Sequence, residues 1–252
     1  MERKTDSPSS GGGKKVVACL GSSSTAAKGS FNWIGALEQR PHNTAYRFYN
    51  FGVGGDLAYN GLERLKDVID CHPDIVIIHL GGNDVLTSVS KKMLWFLRRW
   101  KHIPADPSPA WYRENMLAII RRIKTDTKAR IAICSLQPIG EDPASLNPFQ
   151  AEINRLTAEY NAVIRQIARE ENAYYIPFYE RMQEQMQASP GKAFIAFNFL
   201  PFYYDAFEQF ILRRSLDEIS RRNGWNFHID GVHLNSRGGN MLVDLVQEFL
   251  DA

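Results

Sequence analysis

The stretch DIVIIHLGG, residues 74–82, decides the fold. Ile75, Val76, Ile77 and Ile78 are four β-branched residues in a row, with no polar position alternating between them. Such a run predicts a strand covered on both faces, the situation of a parallel sheet, and the two glycines end it. Working outward, KKVVACL (residues 14–20), a short β-rich run, and AYRFYNFG (45–52), an alternating run with a glycine stop, precede it as strands. ARIAICSL (129–136) and AYYIPF (173–178) follow it. Between them lie stretches with apolar residues at helical spacing: residues 57–71, 110–127, 149–172 and 237–252. Strands that alternate with helices predict an α/β domain with a doubly wound sheet of about five parallel strands between helical layers. In such sheets ligands sit beyond the carboxyl ends of the strands, where strand order reverses. The segments after Leu20, Phe51, Leu80 and Leu136 are therefore the places to look for chemistry.

The bulk numbers are those of a globular protein. Of 252 residues, 44% are hydrophobic and 23% charged, and the net charge of +2 supplies no field of the kind a dedicated nucleic-acid binder carries. Residues 1–13, rich in Ser, Pro and Gly, are expected to be a flexible leader, and residues 14–252 a single domain. The leader lacks a signal peptide's apolar core, and no run approaches a membrane span, so the expectation is a cytoplasmic protein without stable membrane insertion. Cys19, Cys71 and Cys134 are odd in number and widely spaced, and read as small hydrophobes rather than a disulfide framework or a zinc site.

The strand ends offer a coherent inventory. After the first come Gly21 and three hydroxyls, Ser22, Ser23 and Ser24; after the second, GVGGD (52–56); after the third, GGND (81–84). DGVHLN, residues 230–235, stands just before the last helix. A hydroxyl nucleophile, an imidazole base, a carboxylate to orient that base and donors for an oxyanion are the requirements of acyl transfer. His233 can serve as base if Asp230 fixes its tautomer, and their spacing of three demands a turn, because an extended strand would point them to opposite faces. The backbone amides of Ser23 and Gly55 and the side-chain amide of Asn83 would supply three oxyanion donors. Each block alone is compatible with an ordinary turn. Their joint occurrence, in order and each at a strand end or helix entry, is what points to catalysis.

Together the blocks CLGSSST, NFGVGGD, HLGGNDV and DGVHLN resemble those of the SGNH hydrolases, the GDSL esterase/lipase family, over essentially the whole chain after the leader. The resemblance implies a flavodoxin-like three-layer fold, an acyl-enzyme mechanism and no metal or organic cofactor. It implies Ser23 as nucleophile and oxyanion donor, Gly55 and Asn83 as the other donors, and His233 and Asp230 as base and orienting acid. Ser22 stands where the family usually has the aspartate of Gly-Asp-Ser, so hydrogen bonding in this turn must differ, while Ser24 has only a helix-entry role.

Two segments depart from the repeat. Residues 85–106 contain KKMLWFLRRWKH, and residues 191–226 include a stretch, 193–210, that holds many aromatic side chains. They are expected either to form an acyl-chain pocket or lid, with basic residues toward an anionic head group or lipid surface, or to be helices packed on the sheet. The expected substrate is thus a small-molecule or lipid ester, lysophospholipids included, acted on by a monomer or small homo-oligomer with no nucleic-acid partner. A carbohydrate O-acetyl esterase or an acyltransferase on the same fold is the alternative, followed by a non-catalytic flavodoxin-like binding module. The last is disfavoured because neither a Gly-x-Gly-x-x-Gly nor a P-loop pattern occurs.

Overall fold

Five parallel strands order themselves β2-β1-β3-β4-β5 in the computed structural model, which describes residues 13–196, 209 and 211–252. They are β1 (Lys15–Gly21), β2 (Tyr46–Gly52), β3 (Ile75–His79), β4 (Arg130–Cys134) and β5 (Tyr174–Ile176). The chain runs from β1 to β2 on one side, then returns to place β3 on the other side of β1. Strand order therefore reverses at β1, and the crevice of a doubly wound sheet opens at that strand's carboxyl end. Gly21 pairs with both Gly52 and His79, so the ends of three strands lie level there.

Alternation along each strand sends apolar residues to both faces. Ala18, Leu20, Val76 and Ile78 join one buried cluster; Val17, Cys19, Ile75 and Ile77 join the other. The first is covered by helices that include Pro109–Asp126 and Pro148–Glu170, and the second by Trp33–Glu38, Phe178–Ala188 and Ser236–Asp251. Both long helices of the first layer begin with proline behind a side-chain cap. Ser108 accepts from the Trp111 amide, and Asn147 from those of Phe149 and Gln150. Proline at the first helical position loses no intrahelical bond. Cys19 and Cys134 are buried in the core and their thiols are pushed up by desolvation, whereas Cys71 is half-buried.

One expectation is revised. Residues 57–71 form two helices, Ala58–Glu63 and Leu65–Asp70, that break at Arg64. The guanidinium of Arg64 is drawn to Asp56 and to the carbonyl of Gly21, contacts that no helical periodicity encodes. Residues 85–106 take the helical form that was one of the two expectations for them, with helices Gly82–Val89 and Lys91–Lys101. Of the aromatic segment 193–210, residues 197–208 and 210 lie outside the described residues, as do residues 1–12 of the expected leader. Among the described residues, no helix is long and apolar enough to cross a membrane.

Candidate active site

Ser23 is the first residue of a one-turn helix, Ser23–Ala26, that starts directly beyond β1. The turn closes through the carbonyl of Ser22, which accepts from the amides of Thr25 and Ala26. It lies hard against the end of β2. A Cβ on Gly52 would fall 2.1 Å from the Ala26 nitrogen, so only glycine permits this approach. Asn50 on the same strand donates to the Thr25 carbonyl at 2.8 Å.

At the other side of the crevice, Asp230 organises its own loop. Oδ1 accepts from the amides of Val232 (2.9 Å) and His233 (2.8 Å), and the Ile229 amide donates to the His233 carbonyl at 2.7 Å. The turn demanded by the spacing is therefore present, closed by the aspartate side chain rather than by a helical bond. Oδ2 of Asp230 lies 2.7 Å from His233 Nδ1, and His233 Nε2 lies 2.9 Å from Ser23 Oγ. Burial raises the Asp230 carboxyl, but the charge and hydrogen bond of the imidazole and the two amides outweigh it, leaving the pKa below the usual range. An ionised carboxylate takes the Nδ1 hydrogen, which leaves Nε2 as the acceptor for the serine O–H. The structure thus joins Asp230, His233 and Ser23 in one hydrogen-bonded line.

Gly55 and Asn83 line the same cavity as Ser23 and His233. The amides of Ser23 and Gly55 make no hydrogen bond among the described residues and remain open to a ligand. Gly55 has φ +78, and a Cβ there would meet Trp100 at 2.8 Å. Asn83 sits in the first turn of Gly82–Val89, where Nδ2 donates to the Asp56 carbonyl at 2.9 Å. That bond fixes the amide plane and leaves the second Nδ2 hydrogen for the cavity.

Sequence reasoning overlooked the residues that hold these groups in place. Asp56, 2% exposed, binds Arg64 Nε at 2.6 Å and Lys101 Nζ at 2.7 Å. Arg64 also donates to the Gly21 carbonyl at 2.9 Å, so one ion cluster ties the end of β1, the Gly55 loop and the helix Lys91–Lys101 together. The Ser22 hydroxyl caps nothing in this turn. Ser24 does more than enter a helix, since its Oγ accepts from Gln137 Nε2 at 3.0 Å, and Gln137 also reaches the Val232 carbonyl beside His233. Gln137 is the first residue past Leu136, a place the strand-end rule had marked. Glu141 is fully buried and accepts from the amides of Asn226, Phe227 and His228 and from His228 Nδ1 at 2.9 Å. Burial raises its carboxyl, and the His228 ring and those amides more than reverse this. It braces the loop leading to Asp230, and its partners lie more than eighty positions away, beyond any local signal.

The cavity measures about 650 Å³. One wall is the helix Lys91–Lys101, through Met93, Phe96, Leu97 and Trp100; the facing wall includes Phe194, Trp225 and Val232. Lys28 and Lys192 are its cationic lining residues.

A serine hydrogen-bonded to an imidazole stands at the switch point of this parallel α/β sheet, the place where such folds hold their ligands. The model of the GDSL-like lipase/acylhydrolase family matches residues 19–239, and the chain belongs to that family. Among solved structures it is similar to an acetylxylan esterase from Geobacillus stearothermophilus, at 18% identity and TM-score 0.64, covering 94% of each chain. A GDSL-like lipase from Bacteroides thetaiotaomicron matches at 18% identity and TM-score 0.58, over 94% of this chain and 88% of the other. No curated protein sequence matches the chain. The protein is accordingly a carboxylic ester hydrolase by family.

Proposed function

We propose that the protein cleaves carboxylic esters bearing an extended apolar acyl chain, with Ser23 as nucleophile, His233 as general base and Asp230 as its orienting acid. The observation that carries the reading is the unbroken line from Asp230 through His233 to Ser23, opening on a cavity walled mainly by apolar side chains. Ser23 Oγ attacks the carbonyl carbon as its proton passes to His233 Nε2. The resulting oxyanion is received by the amides of Ser23 and Gly55 and the Asn83 side chain. The imidazolium, stabilised by Asp230, then protonates the leaving alcohol. Water, activated by the same imidazole, releases the acid from the acyl-enzyme. No step requires a metal or organic cofactor.

Met93, Phe96, Leu97 and Phe194 support an acyl-chain site. The acetylxylan esterases with the same fold favour the second reading, an O-acetyl esterase acting on polar alcohols. Hydrolysis of p-nitrophenyl esters from acetate to decanoate separates the two. The apolar-chain reading expects kcat/KM to rise with length, and a flat or falling series refutes it. Labelling by a fluorophosphonate should be lost in Ser23→Ala; labelling that persists there and disappears in Ser24→Ala would move the nucleophile.

A further inference from the structure

The helix Lys91–Lys101 carries five cations and no acid, in a chain whose net charge is only +2. Its inward side is accounted for. Met93 and Leu97 are buried, Lys101 is paired with Asp56, and Phe96 and Trp100 wall the cavity. At about 100° per residue, Arg98, Lys91, Trp95, Arg99 and Lys92 fall together on the outer side, within an arc of roughly 120°. All five are exposed, and Trp95 is 70% exposed, a large aromatic surface left in water at the centre of a ring of cations. Arg98 pairs with Asp106, whereas Lys91 and Arg99 make no ion pair among the described residues. The adjoining rim of the cavity is apolar as well, with Trp100 at 55% and Ile195 at 63% exposure.

We infer that this outer face docks the enzyme on an anionic lipid surface and brings the cavity mouth to acyl esters held there. The inference rests on the ester-hydrolase reading of the site. A basic helix with a tryptophan in its charged face suits the head-group layer, where cations meet anionic lipid and the indole places its apolar body among the acyl chains with its N–H in the wet layer. Docking here is peripheral, in keeping with the absence of a spanning helix among the described residues. The charged arc is continuous with the Phe96 and Trp100 wall, so an acyl chain leaving the surface enters a cavity of matching polarity, which favours lipid over another polyanion.

The test uses the full chain carrying Ser23→Ala, so that vesicles are not consumed, with phosphatidylcholine vesicles with and without phosphatidylglycerol. Co-sedimentation is expected with the anionic vesicles only, weakening as salt is added. Lys91→Gln and Arg99→Gln together should weaken binding about 25-fold, fivefold for each charge, which is ~1 kcal/mol per basic residue at tenfold per 1.4 kcal/mol. Trp95→Ala should weaken it further. In the Ser23-containing chain, the same changes should leave hydrolysis of a soluble p-nitrophenyl ester unaltered. Failure to bind anionic vesicles, binding indifferent to these variants, or tighter capture of a single-stranded oligonucleotide than of vesicles overturns the proposal. Sedimentation needs no turnover, so its failure leaves the ester reading standing; failure of the ester reading shows separately, as no hydrolysis of any soluble ester.

Discussion

Asp56→Asn isolates the support behind the oxyanion donors. The substitution keeps the shape of the side chain and removes the charge that Arg64 and Lys101 share. Their side chains are 19% and 11% exposed, so neither cation is freely rehydrated in place. Removing one partner of a buried ion pair costs about 3–5 kcal/mol. Arg64 keeps the Gly21 carbonyl and both cations retain some water, which places the expected loss near the lower end, about 3 kcal/mol. For a domain of this size that lowers Tm by about 6–12 °C. The catalytic effect is separate. Asp56 follows Gly55 directly, and its carbonyl fixes the Asn83 amide, so slackening the loop misplaces two donors at once. Since deleting one such donor costs about 10²–10³ in kcat, partial misplacement should cost about tenfold, mostly in kcat and less in KM. Thermal unfolding and steady-state kinetics at a temperature where the variant is folded measure the two effects. A double-mutant cycle with Lys101→Met then reads the coupling. A Tm within about 2 °C of the parent, where about 6 °C or more is expected, would refute the buried-pair argument. A large Tm loss with unaltered kcat would show that the cluster supports the fold and not the donors.

Other outcomes follow from the same geometry. Asp230→Asn should reduce kcat by about 10⁴ with unfolding little changed, because an amide no longer stabilises the imidazolium and allows the wrong His233 tautomer; steady-state kinetics check it. Asn83→Ala should lower kcat about 10²–10³-fold with a smaller change in KM. Burial pushes the Asp84 carboxyl up to about 8, so the folded state holds its proton where the unfolded chain has released it. The Asp84 contribution to stability is thus fully present below the unfolded value near 4 and is lost as pH rises toward 8, at up to about 1.4 kcal/mol per pH unit. Denaturant titrations across that window should show Asp84→Asn removing this downward slope. His79, lowered to about 4 by burial, acts in the opposite direction, adding stability as pH rises from 4 through its unfolded value of 6.5.

All five strands were legible, Ile75–His79 as an apolar run and Tyr46–Gly52 by alternation and a glycine stop, and the two-faced burial of Ile75–His79 announces a parallel sheet. The four motif blocks were legible because the strand ends are where such a sheet brings distant residues together. The break at Arg64 was not, since the apolar spacing of residues 57–71 continues across it, while the contacts of its guanidinium to Asp56 and the Gly21 carbonyl are set by tertiary folding. Ser24 and Gln137 meet across 113 positions, a pairing without a local pattern.

The residue order alone determined the layers and the parallel sheet, because periodicity and turn chemistry are properties of neighbouring residues, and the resemblance of its four blocks to a known family implied which hydroxyl, imidazole and carboxylate to watch. Tertiary structure decided what those groups are able to do. It closed the line from Asp230 to Ser23, fixed the plane of the Asn83 amide through Asp56, and laid the helix Lys91–Lys101 so that one side walls the cavity while the other faces water. Hydrogen bonds and ion pairs between segments up to 210 positions apart depend on distances that only the folded chain sets.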